Sequence, residues 1–122
     1  MATALDVITR ALKRLRVISS GEVPTAEESA DCLEALNDML FEWRIDGIDL
    51  AHVALVLTDT IDVPDDHVQA LVLNLALRVG GMFGAQLAPA DTALALSGEA
   101  ALRAYHFTIA DLSSDSPLSR TN

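Results

Sequence analysis

A chain of 122 residues with 51% apolar side chains can bury one core, and its 18 acidic against 8 basic residues give a formal net charge of −10. That balance excludes a broad, sequence-independent grip on a phosphate backbone, so any nucleic-acid contact has to be local. Aromatic residues at 4% amid abundant Ala and Leu favour closely packed helices over a sheet sandwich, and the single Cys32 excludes an intrachain disulfide.

The first element begins at Thr3, which with Asp6 has capping-box spacing, and Ala4, Ile8, Ala11, Leu15 and Ile18 then recur at helical intervals, predicting a helix over 4–18. Arg10, Lys13, Arg14 and Arg16 crowd its second half, where unsatisfied carbonyls favour positive charge. These four are half of the chain's eight Lys and Arg residues. They suit a phosphate contact, a contact with another subunit, or plain solvation. Basic residues that follow the first apolar ones are in the wrong order for a secretory signal, and the lone Cys32 makes a reducing cytoplasm the expected place of synthesis.

"SSGEVP" breaks the chain, and Thr25 with Glu28 starts a second helix in the same way. Leu33, Leu36, Leu40 and Trp43 form its apolar stripe, and the two helices are expected to pair as an antiparallel hairpin. "AHVALVLTDTIDVPDD" changes period, with Val53, Leu55 and Leu57 on one side of an extended reading, so a short extended or β-hairpin insert is expected, with Asp59 in its turn. Asp66 and Gln69 repeat the capping-box spacing before a third helix over about 67–83. That helix is apolar over most of its circumference and must be buried nearly all round, in this domain or against neighbouring subunits. Its run "ALVLNLALRVGGMFGA" is broken by Asn74 and Arg78 and does not read as a membrane span. A last helix begins near Pro89, with Leu94, Ala101, Tyr105, Ile109 and Leu112 as its expected inner stripe and Gly98 as a point of weakness. The fold class is therefore mainly α, a bundle of about four helices over 1–112, followed by a polar tail over 113–122 that is expected to order on a partner.

No constellation of reactive groups accompanies these elements. His52, His67 and His106 are scattered and lack metal-ligand spacing, and Asp65 and Asp66 read as a helix start. Cys32 reads as small apolar packing, Ser97–Gly98–Glu99 and Ser20–Gly21–Glu22 lack a nucleophile-elbow frame, and "RVGGMFG" lacks the phosphate-cradling pattern. Neither an enzyme nor a cofactor or metal is expected.

"VITRALKRLRVISSGEVPTAEESADCLEALNDMLFEWRIDG" resembles the first half of the head-to-tail connector, or adaptor, proteins of tailed bacteriophages, which include packaged-DNA stabilisation and head-completion proteins. The resemblance lies in the order of Ile8, Ala11, Leu12 and Leu15, then Gly21, Glu22, Pro24, Thr25, Glu28, Ala30, Leu33, Leu36, Asn37, Met39 and Trp43. "LVLNLALRVGGMFG" is similar to the family's second long helix block, while the segment between the two is shorter than in many relatives. The resemblance implies a structural protein of the virion neck, made in the host cytoplasm, with about twelve copies in a ring below the portal. Such a ring extends the channel for double-stranded DNA, helps retain the packaged genome and docks the stopper or tail protein. It also implies that Arg103, Tyr105, Phe107, Leu118 and Arg120 meet the portal or another partner. The alternative expectation is a small helical DNA-binding or regulatory protein that uses Arg10, Lys13, Arg14 and Arg16.

Overall fold

The computed structural model describes residues 2–50 and 53–114, with the helical backbone alone described over 108–114. Among the described residues there are four α-helices and no strand: α1 (Ala4–Arg14), α2 (Ala26–Ile45), α3 (Asp65–Val79) and α4 (Pro89–Ser114), with a 3-10 turn at Gly80–Phe83 between α3 and α4.

Local chemistry starts the first two helices as expected. The Thr3 hydroxyl accepts from the Asp6 N–H at 3.1 Å while the Asp6 carboxylate accepts from the Thr3 N–H at 3.0 Å. Thr25 and Glu28 repeat this reciprocal pair at 3.1 and 2.9 Å. Both helices also end alike. In α2 the Ile48 N–H reaches the Trp43 carbonyl and the Gly47 N–H reaches the Arg44 carbonyl, with Gly47 left-handed at φ 98°. In α1 the Val17 N–H reaches the Leu12 carbonyl and the Arg16 N–H reaches the Lys13 carbonyl, with Arg16 left-handed at φ 61°. Helix α1 therefore stops at Arg14, short of the expected residue 18, and an arginine occupies the position that α2 gives to glycine.

Helix α3 is the central element and packs on α1, α2 and α4. Val68, every residue from Ala70 to Ala76, and Val79 are buried, so its broad apolar surface is consumed within this one domain. The expected Asp66–Gln69 capping box does not form. Pro64 is the N-cap and the helix begins at Asp65, which places Asp66 and Gln69 inside the first turns. Gly80 sits where a Cβ would lie 2.8 Å from the Ala85 carbonyl oxygen, so the α3 end folds back on the following chain.

The insert between α2 and α3 is not a β-hairpin among the described residues. A turn does form at Asp59, whose carboxylate accepts from the Val56 N–H at 2.8 Å, but the flanking chain pairs elsewhere. The Leu57 and Asp59 carbonyls accept from the Leu5 and Ala4 N–H groups at 3.0 and 2.9 Å, and Thr3 and Thr60 form an isolated antiparallel bridge. The first donors of α1, which have no partner inside their own helix, are met by this segment, and its carbonyls are used up in doing so. Asn37 holds the other end by accepting from the Leu55 N–H at 2.8 Å and donating to the Leu55 carbonyl at 3.1 Å.

Helix α4 turns a different face inward from the one its large residues mark. Ala95 and Leu102 are buried and Gly98 faces Ala70, whereas Leu94, Ala101 and Tyr105 of the expected stripe are exposed to varying degrees. The side chains of Ile109 and Leu112 lie outside the described residues. The helix runs unbroken through Gly98 and past the expected boundary at 112, taking in Ser113 and Ser114.

Candidate functional site

The four cations of the α1 end are brought to one concave side of the bundle. Arg10 donates to the Gln69 side-chain carbonyl of α3 at 3.4 Å, and Arg14 lies 3.8 Å from the Asp91 carboxylate at the start of α4. Lys13 stands between them, and Arg16 continues the strip past the helix end beside Gln86. At the other end the strip opens into a groove of about 650 Å³ whose apolar wall is Leu5, Val23 and Val68. Gln69, expected as a cap, is instead part of the wall of this site.

Arg16 carries a conformational cost. A non-glycine residue in the left-handed region is about 1 kcal/mol less favourable than a glycine there, and strain of this kind gathers where a side chain is needed. The other arginines with described partners are used within the fold. Arg78 forms a two-point pair with Glu42 at 2.9 Å for each bond, and each partner favours the charged form of the other: Glu42 is held below its ordinary value and Arg78 above its own. Arg103 pairs with Glu99 at 2.8 Å and approaches Asp46 at 3.7 Å, so it ties α4 to the end of α2. On the α1 side, Arg14 is paired with Asp91, while Arg10, Lys13 and Arg16 have no carboxylate among their described contacts.

The remaining expected contact residues are distributed differently. Phe107 is 72% exposed. Tyr105 belongs to a ring cluster, edge-on to His67 at 5.2 Å and to His106 at 5.4 Å. Leu118, Arg120 and His52 lie outside the described residues. Cys32 is buried, and its thiol is pushed up to about 11 by burial first and by Asp31 and Glu28 next, so it packs as a small apolar group.

The histidine cluster, which the scattered sequence positions do not reveal, predicts a pH response. His67 Nδ1 and His106 Nε2 are buried without hydrogen-bond partners. Burial pushes His106 below its ordinary 6.5, His67 adds to the effect, and Asp49 opposes it. The unfolded chain then binds more protons than the native one between the lowered value and 6.5, so this contribution to stability is complete above 6.5 and is lost as pH falls through the native value. Urea midpoints at about pH 7.5 and pH 5 are expected to differ less in His106→Gln than in the parent chain. An equal acid loss in both proteins would remove His106 as the source.

Among the described residues no group of three or more His, Cys, Asp or Glu side chains is placed to hold a metal ion, and no helix is long and apolar enough to cross a membrane. The chain matches no protein-family model and no curated protein sequence.

Proposed function

We propose that this protein is a structural adaptor of a bacteriophage neck, a subunit that repeats in a ring below the portal, extends the DNA channel and helps retain packaged double-stranded DNA. The ring offers the next docking surface to a stopper or tail protein. The reading rests on the resemblance of the two helix blocks and on one structural observation: a helical bundle gathers basic side chains along α1 and, past its end, at the left-handed Arg16, while large apolar side chains stand exposed elsewhere, Phe107 at 72% and Ile45 at 87%. A subunit with separate unlike surfaces is suited to contact a neighbour with one and a different partner with another. Its acidity suits a conduit that must not bind its DNA tightly.

The test is association with the cognate portal, followed by native mass spectrometry and cryo-microscopy. A closed ring on the portal, of about twelve copies, is the expected result. Deletion of 113–122 is expected to weaken portal association, because it removes Leu118 and Arg120, which would meet the portal with one apolar side chain and one charge. A chain that stays monomeric and never binds a portal refutes the assignment.

The basic groove favours a second reading, a DNA-binding or regulatory protein. Four phosphate contacts would give a slope of log affinity against log salt of about −3.6. Weak binding to free duplex is expected instead, since the strip works against a net charge of −10. Tight, sequence-selective binding measured by fluorescence anisotropy would establish this second reading over the first.

A further inference from the structure

We infer that the α1 groove receives the outer stripe of α2 from a second copy of this chain, a contact that rests on the ring reading above and names its two surfaces. The stripe consists of Glu27, Asp31, Glu34, Asp38, Phe41 and Ile45, spaced alternately by four and three residues and therefore aligned along one side of the helix. All six are exposed. Its first two thirds are acidic, and its end is apolar, with Ile45 87% exposed.

The groove has the complementary order. Leu5 and the 79% exposed Val23 supply its apolar part, which the Asp6 and Asp65 carboxylates also border, while Arg10, Lys13 and Arg14, the last 3.8 Å from Asp91, continue along α1. At about 1.5 Å per residue, Ile45 lies about 10 Å from Asp38 and about 16 Å from Glu34, whereas Leu5 lies about 8 Å from Arg10 and about 12 Å from Lys13. With the two helices antiparallel, Ile45 and Phe41 enter the apolar end as the carboxylates come alongside the cations. Both the sign of the charge and the place where charge gives way to apolar surface then match within about one helical turn.

The two surfaces share no residue, so each copy uses one to receive and the other to insert. A contact of this heterologous kind propagates from copy to copy and closes when the rotation between subunits permits. Arg16 lies at the open end of the strip, and its left-handed backbone carries the charge past the point where α1 stops.

The experiment compares three full-length variants with the parent chain, after circular dichroism has established that each is helical. They are Arg10→Glu with Lys13→Glu, Glu34→Lys with Asp38→Lys, and all four changes in one chain. Self-association is measured by sedimentation, free and on the portal. Each double reversal is expected to weaken it about a hundredfold by setting like charges opposite one another, and the fourfold variant is expected to recover most of the loss. Rings that form unchanged with either reversal overturn the contact and leave the ring reading intact. A parent chain that never self-associates overturns both. If only the α1 reversal matters, and what it abolishes is binding of a duplex DNA probe, the groove is a nucleic-acid surface and the contact is refuted.

Discussion

Leu71→Ala is expected to lower the free energy of unfolding by about 2–5 kcal/mol. Leu71 is fully buried on α3, the helix against which the other three pack. Truncation loses the transfer free energy of the removed carbons and leaves a void that its neighbours cannot easily fill, because α3 is fixed by contacts with α1, α2 and α4 together. A domain of this size has about 5–15 kcal/mol in total, so the loss is a large share of its stability. Urea denaturation is expected to show a lower midpoint with an unchanged slope, since the native fold still buries nearly the same surface. Leu77→Ala on the same helix provides the contrast, because Leu77 is 42% exposed and its removal opens no cavity. Equal losses for the two variants would contradict the central place of α3.

Gly98→Leu is expected to cost about 3 kcal/mol, near the upper end for forcing extra carbons into a packed interface. A Cβ at residue 98 would stand 2.8 Å from the Ala70 Cβ and 3.2 Å from the Ala70 Cα, so α3 and α4 come too close at this point for a side chain at residue 98. Asn74 secures the same contact by donating to the Ala70 and Ala95 carbonyls, each at 2.8 Å. Pushing α4 outward would strain or break the bond to Ala95 and leave a buried amide donor short of a partner. Gly98→Ala is the more discriminating variant. Alanine gains about 1 kcal/mol in helix propensity but meets an overpacking cost of about 1–3 kcal/mol, and a net loss of about 1 kcal/mol is expected. Gly81→Ala, where the added carbon meets nothing within 4 Å, should be close to neutral. A thermal midpoint that rises in Gly98→Ala would show that the helices have room to spare.

Close approach at Gly98 also explains why the inner face of α4 is not legible in its periodicity. Helical spacing of apolar residues selects Leu94, Ala101 and Tyr105, but a helix that must come near Ala70 turns small residues inward at the contact, and Ala95 and Gly98 face the core with Leu102. Size at a position says that apolar area is available for burial. It does not say how far away the partner backbone will be. The same gap hides Asn74, which interrupts an apolar run in the sequence and acts in the fold as a hydrogen-bonded tie between two helices.

Features legible along the chain are the local ones: the reciprocal caps at Thr3–Asp6 and Thr25–Glu28, the apolar circumference of α3 and the basic cluster from Arg10 to Arg16. Capping bonds and helical spacing are local, so neighbouring residues suffice to specify them. Tertiary structure alone decided that Leu57 and Asp59 give their carbonyls to the start of α1 in place of a hairpin, and that Gln69 joins Arg10 where a third cap was expected. It also decided that the cations border a groove whose apolar wall comes from Val23 and Val68. Each of these depends on which distant donor or surface arrives opposite, and polar groups take the partner that packing brings within reach.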